Sequence, residues 1–373
     1  MLQSFLNTMR LTVKELRAIR GDKIMLVLIF YVFTVATWMV SDAGSTEIRD
    51  LSVAVVDEDH SPLSRRLIEA IRPPLFTSPA VITPQRAAEA QTNGDYVLVV
   101  SIPPKFEYDL RSGKDVSLML LIDATAVAQA GNGAAYMQQL LADEITKFFY
   151  PSATSASLVD VVMRNRFNPN LTSKWFTSVM QLMNSVTILT LILAGSSLIR
   201  EREHGTIEHV LVMPVRPHEI VFSKILATGI VILASSVASL FFVVQWGMGV
   251  PVAGSPLLYV CGAAIYVISV GSLGLLLASF TQNMGQFGLL VIPVIIVMFL
   301  LSGGITPMES MPAWLRLTMK IISPSPHYVE FAQSVLYRGS GFSLVAGSMA
   351  AMAGMGVVFL VVVIARFRKV LAN

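Results

Sequence analysis

The sequence HGTIEH begins and ends with a histidine, and paired histidines beside a glutamate are the usual signature of a zinc-dependent hydrolase. Such signatures place the histidines four residues apart, whereas His204 and His209 are five apart and point in different directions on a helix. His60, His218 and His327 are scattered, so no Ser-His-Asp arrangement can be argued. The chain has no GxxxxGK[ST] phosphate loop and no GxSxG nucleophile turn. The sequence therefore predicts no enzyme, no metal site and no cofactor bound by this chain itself.

The charge cluster REREHGT, residues 200–206, directly follows an uncharged apolar run in a chain with only 14% charged residues. The C-terminal end of a helix is partially negative, so Glu201 and Glu203 there cost about 0.3–1 kcal/mol each when exposed. The neighbouring arginines offset this cost, one of them at the i,i+3 spacing of an ion pair. Two interpretations remain open: a solvated loop of self-paired charges, or a surface on which Glu201, Glu203 and Glu208 bind a basic partner.

Six uncharged apolar runs approach or exceed the 20 or so helical residues that cross a bilayer. They lack Asp, Glu, Lys, Arg and His, which ion-driven transporters and intramembrane proteases usually place within the bilayer. With 54% apolar residues, the chain is predicted to be an α-helical polytopic membrane protein with six transmembrane helices. If it moves a substrate, the energy must come from a partner that acts on its cytoplasmic loops. The six runs are 24–40, 178–199, 225–249, 257–280, 284–305 and 342–364.

The distribution of Lys and Arg orients the chain, because these residues concentrate in short cytoplasmic loops. If the N-terminus is placed in the cytoplasm, the inner segments contain eleven Lys and Arg in 59 residues. The short outer segments then contain three in 46 residues. Both termini and the loop 200–220 are then cytoplasmic, and residues 41–177 lie outside. The first run, 24–40, follows a basic lead but has no small-residue cleavage site, which favours an uncleaved signal anchor.

The segment 1–23 is predicted to be a cytoplasmic amphipathic helix that anchors in the lipid headgroup layer beside anionic lipid. Arg10, Lys14 and Arg17 share its polar face. The opposite face is apolar and carries Leu2, Phe5, Leu6, Met9, Val13 and Leu16.

Residues 41–177 are predicted to fold as an α/β domain inserted between the first two spans. Short strands rich in Val, Ile and Leu cover 51–57, 96–102 and 117–123, and a long helix covers about 126–149. Helices also begin at Ser61-Pro62 and Thr83-Pro84, where a capping residue precedes a proline. The segment has twelve basic and sixteen acidic residues, which excludes a nucleic-acid-binding domain.

Beyond the fifth span, the segment 303–341 contains two short helices that are too short or too polar to cross a membrane. The chain breaks at Gly303-Gly304, Pro307 follows, and Trp314 has the character of an interfacial side chain. This pattern predicts a re-entrant or surface-lying helix pair on the outer side.

The run REREHGTIEHVLVMPVRPHEIVFSK, residues 200–224, resembles the loop between the second and third spans of ABC-2 type permeases, the membrane subunits of ABC exporters. VAVVDEDHSPLSRRLIEAI, VVSIPPKFEYDLRSGK, LSGGITPMESMPAWLR and LYRGSG also resemble the family, so the resemblance covers nearly the whole chain. The layout is similar to the subgroup with a large outer domain between spans one and two, often found with a periplasmic adaptor. The residues that match the loop pattern are Glu201, Glu203, Gly205, Thr206, Glu208, Pro214, Glu219 and Lys224.

This resemblance implies that the loop is a coupling element fitting a groove of a separate ABC ATPase subunit, which uses ATP and Mg. The candidate partner-binding residues are Arg200, Glu201, Arg202, Glu203, Gly205, Thr206 and Glu208. Six spans make half a transporter, so a second copy or a paralogue completes the pathway. The helices at 306–337 would close its exit, and the candidate outer gate comprises Gly303, Gly304, Pro307 and Trp314. Gly303-Gly304 departs from many relatives, which carry a bulkier residue there.

The function implied is that of a permease subunit in a bacterial inner membrane, which moves an apolar or amphipathic substrate outward. The 41–177 domain would meet a periplasmic adaptor or gate release. The alternative is a non-transporting receptor or scaffold whose outer domain senses a ligand and whose charge cluster recruits a cytoplasmic protein. A membrane hydrolase ranks below both because no nucleophile and base can be paired. The sequence does not identify the substrate.

Overall fold

The computed structural model describes residues 2–43, 51–93, 95–122, 127–150, 173–203, 205 and 215–372. The chain is mostly helical, at 74%, and divides into two compact units. The first unit comprises Met1–Ser45 and Asn165–Asn373, and the second comprises Thr46–Arg164.

The helices of the first unit are interrupted in sequence by the elements of the second. The first unit contains α1 (Leu2–Gly21), α2 (Lys23–Ala43), α7 (Ser173–Glu203), α8 (Pro217–Gly247), α9 (Pro256–Ala278), α10 (Met284–Leu300), α11 (Ala313–Ile322), α12 (Ser325–Leu336) and α13 (Phe342–Ala372). The second contains β1 (Val53–Asp57), α3 (Pro62–Ala70), β2 (Ala80–Val81), α4 (Pro84–Asn93), β3 (Leu98–Ile102), α5 (Phe106–Arg111), β4 (Met119–Ile122) and α6 (Val127–Phe149).

Five of these helices are long and apolar enough to cross a membrane: α2, α7, α8, α9 and α13. The chain is thus consistent with a polytopic membrane protein. The helix α10 is apolar but has only 17 residues, so the count of six spans stays a prediction. The predicted C-terminal end of the run 284–305 is wrong, because the helix ends at Leu300. Gly303 then has a φ of +90°, a conformation that favours glycine and turns the chain away from the helix axis.

The helix α7 is the most buried of the five and packs against α2, α8, α9 and α10. Two of its buried hydroxyl side chains bond to carbonyls of their own helix. Ser185 donates to the Gln181 carbonyl at 2.8 Å, and Thr187 donates to the Met183 carbonyl at 2.9 Å. No unpaired polar group therefore results at these positions.

The two short helices of segment 303–341 differ in their surroundings. The helix α12 is buried against α9 and α13, although its sequence is too polar for a span. Its Tyr328 stacks on Tyr266 with ring centroids 3.9 Å apart, and its hydroxyl lies 3.2 Å from that of Tyr259. These partners explain the burial, because the polar atoms are hydrogen-bonded. The helix α11 instead exposes Trp314, as an interfacial helix would.

The N-terminal helix α1 has three faces rather than the two predicted. The apolar face is exposed, with Phe5 at 60% of its maximal accessibility, and the basic face is also largely exposed. A third face, with Thr8, Thr12 and Ile19, packs against α8. Thr12 is buried because its hydroxyl donates to the Thr8 carbonyl at 2.8 Å. The helix thus docks by small hydroxyl side chains and leaves its apolar face free for lipid.

The second unit contains a four-stranded sheet in the order β2-β1-β3-β4. The strand β1 is parallel to β2 and β3, and β4 is antiparallel to β3. Val53 and Val55 pack with α3, α5 and α6, whereas Ala54 and Val56 pack with α4 on the other face. Both faces are covered, which explains why the strands are almost continuously apolar. The three strands and the long helix predicted in this segment are present, and the two-residue β2 was not predicted.

Glu107 of α5 stabilises the second unit by joining α5 to the start of α3. One carboxylate oxygen accepts from the Leu63 N–H at 3.0 Å, and the other accepts from Arg111 at 2.8 Å. Burial raises the pKa of Glu107, but these hydrogen bonds outweigh it and hold the pKa below its ordinary 4.5. Because the folded-state pKa is depressed, this stabilisation is present above about pH 4.5 and disappears as the pH falls through the folded value.

We expect Glu107→Gln to lower the stability of the second unit at pH 7 by about 1–2 kcal/mol, because a charge-assisted hydrogen bond is lost. The stability of the second unit should also fall less steeply with decreasing pH in the variant than in the wild type. Amide hydrogen exchange of α3 in the full-length chain between pH 7 and pH 4 measures both effects. The exposed Glu69, on α3 itself, gives the matched control Glu69→Gln. Equal amide exchange rates of α3 in the wild type and in Glu107→Gln at pH 7 would contradict the stabilising role of Glu107.

Candidate functional site

The four charges of the sequence RERE lie on the last helical turn of α7. That helix continues to Glu203, and Gly205 follows with a φ of +65°, a conformation typical of a residue just beyond a helix. The next helix, α8, begins at Pro217, where the Arg216 N–H donates to the Glu219 carboxylate at 3.0 Å. Thr206, Glu208 and the short helix expected at 207–213 lie outside the described residues.

Glu201 takes part in an ion-pair cluster with Lys14, Glu15 and Lys224, which we call the Lys224 cluster. The Lys224 ammonium is 1% exposed and lies 3.0 Å from Glu15 and 2.9 Å from Glu201. It also donates to the Ser197 carbonyl at 3.2 Å, so its three N–H groups have three acceptors. Lys14 binds the other oxygen of Glu201 at 2.9 Å. Two cations and two carboxylates thus neutralise one another, which makes the burial of Lys224 tolerable.

Lys14 is the more solvent-accessible cation of this cluster, with half of its side chain exposed. Burial lowers its pKa, but the hydrogen bond to Glu201 and the attraction of that carboxylate raise the pKa of Lys14 above its ordinary value. Lys14 therefore keeps its charge throughout the physiological pH range.

The other charges of the α7 terminus contact three further parts of the first unit. Arg200 binds Asp22, just before α2, at 3.0 Å. Arg202 donates to the Thr281 carbonyl, beyond the end of α9, at 2.6 Å. Glu203 accepts from the Met284 N–H, at the start of α10, at 2.8 Å. The end of α7 is thus connected through its charges to α2, α9 and α10, and these contacts offset the unfavourable helix dipole at the two glutamates.

Three residues of the loop pattern named above contact α1: Glu201, Glu219 and Lys224. Glu219 is 2% exposed, and Asn7 of α1 donates to its carboxylate at 3.4 Å. We did not predict the roles of Lys14, Glu15 and Asp22. A signal for Glu15 does exist in the sequence, because it lies between Leu11 and Ile19 at four-residue spacing on the docking face. A carboxylate in such a row indicates a buried partner.

At the opposite end of the first unit, a cavity of about 430 Å³ includes three of the four candidate gate residues, Gly303, Gly304 and Pro307. Trp314 is not among its lining residues and is 69% exposed on α11. Phe176 and Val329 give the cavity apolar walls, and its charged rim consists of Lys320, Glu330 and Arg338. Such a lining suits an amphipathic molecule. Whether these residues form a gate stays a prediction.

Metal ligation has no support in the described part of the chain, where no three His, Cys, Asp or Glu side chains are grouped as ligands. His327 contacts the Lys320 carbonyl at 2.9 Å, and His218 contacts the Ser4 hydroxyl at 3.3 Å. His204 and His209 lie outside the described residues.

Comparison with known proteins extends over nearly the whole chain. A family model described as ABC-2 family transporter protein matches residues 24–365. The inner membrane transport permease YhhJ of Escherichia coli (strain K12) is 38% identical over 368 residues, which are 98% of both chains. The probable multidrug ABC transporter permease YbhR of the same strain is 28% identical over 312 residues, which are 82% of this chain and 83% of YbhR.

These relatives are transport permeases, which are not themselves enzymes, and they do not favour the receptor or scaffold alternative. Together with the five apolar helices, they support a multi-pass location in the inner membrane. The matched region covers the five helices except for a few terminal residues, and it contains two of the four members of the Lys224 cluster, Glu201 and Lys224. The chain belongs to the ABC-2 family of transporter proteins.

Proposed function

We propose that this chain is the permease subunit of an ATP-driven exporter and that a separate cytoplasmic ABC ATPase supplies the energy. The observation that carries the proposal is the charged terminus of α7. It contacts α1, α2, α8, α9 and α10, so a force applied beside it reaches most of the first unit. The predicted spans contain no ionisable group for an ion-driven mechanism, which favours energy input at this terminus.

The contacts divide the candidate partner-binding residues into two groups. Arg200, Glu201 and Arg202 transmit movement, because their charges bind other elements of the same chain. Glu203 also accepts from the Met284 N–H but is exposed, and together with Gly205, Thr206 and Glu208 it provides the contact with the ATPase. ATP and Mg are bound by that partner and not by this chain.

The topology that we propose has six spans, with α10 as the fifth and both termini in the cytoplasm. Seventeen helical residues extend about 25 Å, close to the roughly 30 Å of a bilayer core. The excess of Lys and Arg at the α7–α8 end supports this orientation. The second unit then lies in the periplasm, where a membrane fusion protein is its natural adaptor. A second copy or a paralogue completes the pathway.

The cargo that we propose is an apolar or amphipathic organic molecule, moved outward. The cavity beside Gly303 and Gly304 combines apolar walls with a charged rim, and it lies at the end of the unit opposite the proposed ATPase site. The relative YbhR is named as a probable multidrug permease, which is consistent with this class of cargo.

Affinity purification of the tagged full-length chain, followed by an ATPase assay, tests the proposal. We expect a Walker-type ATPase to co-purify with the wild type. Glu203→Lys/Glu208→Lys should lower its recovery about tenfold or more, because two carboxylates facing a basic groove reverse sign. Glu69→Lys, far away in sequence and also exposed, is the matched control. Absence of any ATPase under gentle detergent would overturn the transporter proposal, whereas unchanged recovery with the double variant would overturn only the contact residues.

A further inference from the structure

A second cleft of about 430 Å³ lies between the first half of α1 and the first turns of α8. It is separate from the Lys224 cluster, none of whose members is among its lining residues. Its volume falls within the usual range of sites for small ligands. The contacts that dock α1 therefore leave a space which neither helix fills.

One end of this cleft is polar and basic. Arg216 and His218 enter it from the start of α8, and Ser4 enters from α1, with its hydroxyl 3.3 Å from the His218 ring. The nearby carboxylate of Glu219 does not line the cleft, because it is 2% exposed and accepts from the Arg216 N–H, from Asn7 and from Ser4. The described lining thus contains a guanidinium, an imidazole and the hydroxyls of Ser4 and Thr8 but no acidic side chain, which is the donor set of an anion site.

The other end is apolar. Phe222 and Leu226 follow His218 at four-residue intervals, so the three side chains share one face of α8. Leu226 lies about 12 Å along the helix from His218. Phe5 and Met9 line the cleft from α1, also four residues apart. The cleft therefore changes from basic to apolar along its length, as the binding site of an amphiphile with an anionic head would.

One wall of the cleft is continuous with the exposed apolar face of α1. Phe5 and Met9 belong to the exposed apolar face that continues with Leu6 and Val13, and in a membrane protein this face contacts lipid. Arg10 and Arg17 on the neighbouring face are exposed and attract anionic headgroups. The molecules that reach this cleft at the highest concentration are the phospholipids of the bilayer itself.

We propose that this cleft binds one glycerophospholipid with an anionic headgroup. Its phosphate is bound by Arg216, His218 and Ser4, and an acyl chain lies along Phe222 and Leu226. The lipid fills the space between α1 and α8 and thereby couples the docking of α1 to the anionic lipid content of the membrane. This site does not depend on the proposed export function.

Native mass spectrometry of the full-length chain, purified in mild detergent with phosphatidylglycerol or phosphatidylcholine, tests the proposal. We expect the wild type to retain one phosphatidylglycerol in clear preference to phosphatidylcholine. Arg216→Gln/His218→Gln should weaken that retention about tenfold or more, because both charge-assisted contacts are lost. Leu226→Trp, which fills the apolar end without changing charge, should also reduce it.

Arg10→Gln/Arg17→Gln is the matched control, because it removes two exposed basic side chains of α1 that do not line the cleft. Equal loss of lipid in the two double variants would overturn the proposal in favour of general surface attraction. Displacement of the lipid by excess inorganic phosphate would overturn it in favour of a phosphate site. Loss of the lipid when the partner ATPase is bound would also overturn it, because the cleft would then be a protein contact.

Discussion

Lys224→Met should be the most destabilising single substitution at the charged terminus of α7, with an expected cost of about 3–5 kcal/mol. The variant removes a buried cation and leaves the Glu15 carboxylate without its partner, which is the situation that makes broken buried ion pairs expensive. Because Lys224 also connects α8 to α1, we expect α1 to detach. Thermal unfolding in detergent measures the loss of stability, and trypsin cleavage after Arg10 and Arg17 measures the release of α1.

Two further variants distinguish this mechanism from general damage to the fold. Lys14→Met removes a cation of the same cluster whose side chain is 52% exposed, so it should cost no more than about 1 kcal/mol. Lys224→Met/Glu15→Gln removes both members of one buried pair and should recover a large part of the stability. If Lys224→Met has the unfolding temperature of the wild type and resists trypsin to the same extent, the Lys224 cluster does not hold α1 in place.

Gly262→Ala should displace the buried helix α12 and destabilise the first unit by about 1–3 kcal/mol. A Cβ atom at position 262 would lie 2.1 Å from the ring of Phe331, and that ring is completely buried. Overpacking of this kind forces either the ring or the backbone to move. Since α12 also lines the cavity at the end of the unit opposite the charged terminus of α7, the movement should open that cavity. Proteolysis between α11 and α12 and thermal unfolding measure the two effects.

The double variant Gly262→Ala/Phe331→Leu provides the control, because the smaller side chain vacates the space that the new methyl group needs. It should restore stability towards that of Phe331→Leu alone. Non-additivity of this size is expected only for residues in direct contact. Additive effects of the two substitutions would show that α9 and α12 do not meet at this point.

The apolar helices and the buried strands could be predicted because each signal is contained in one continuous stretch of sequence. An uncharged run of about 20 residues has few alternatives to a membrane helix, and runs such as 51–57 have few alternatives to a buried strand. The end of α10 is the exception. Residues 301–305 are as uncharged as the helix before them, so the run continues although the helix ends at Leu300 and Gly303 takes a positive φ.

The Lys224 cluster could not be predicted in the same way, because its members are far apart in sequence. Lys224 lies at the border of a predicted span, where a lysine ordinarily reaches the headgroup region, and its partners are Glu15 and Glu201. The docking face of α1 is similarly hidden, because Thr8 and Thr12 contribute little to an apolar–polar periodicity. The burial of α12 depends on the hydroxyl partner that Tyr259 contributes to Tyr328, which neither sequence segment reveals alone.

The separation of 209 residues between Glu15 and Lys224 has a consequence for the order of biosynthesis. Ribosomal synthesis proceeds from the N-terminus, so α1 is complete before the second unit, α7 or α8 exists. During this interval its docking face has no partner, and its exposed apolar face retains it at the bilayer surface. Lys224 can take its buried position only when the waiting α1 supplies Glu15. The helix α1 therefore reaches its final contacts only after α8, whose Lys224 is translated 209 residues after Glu15.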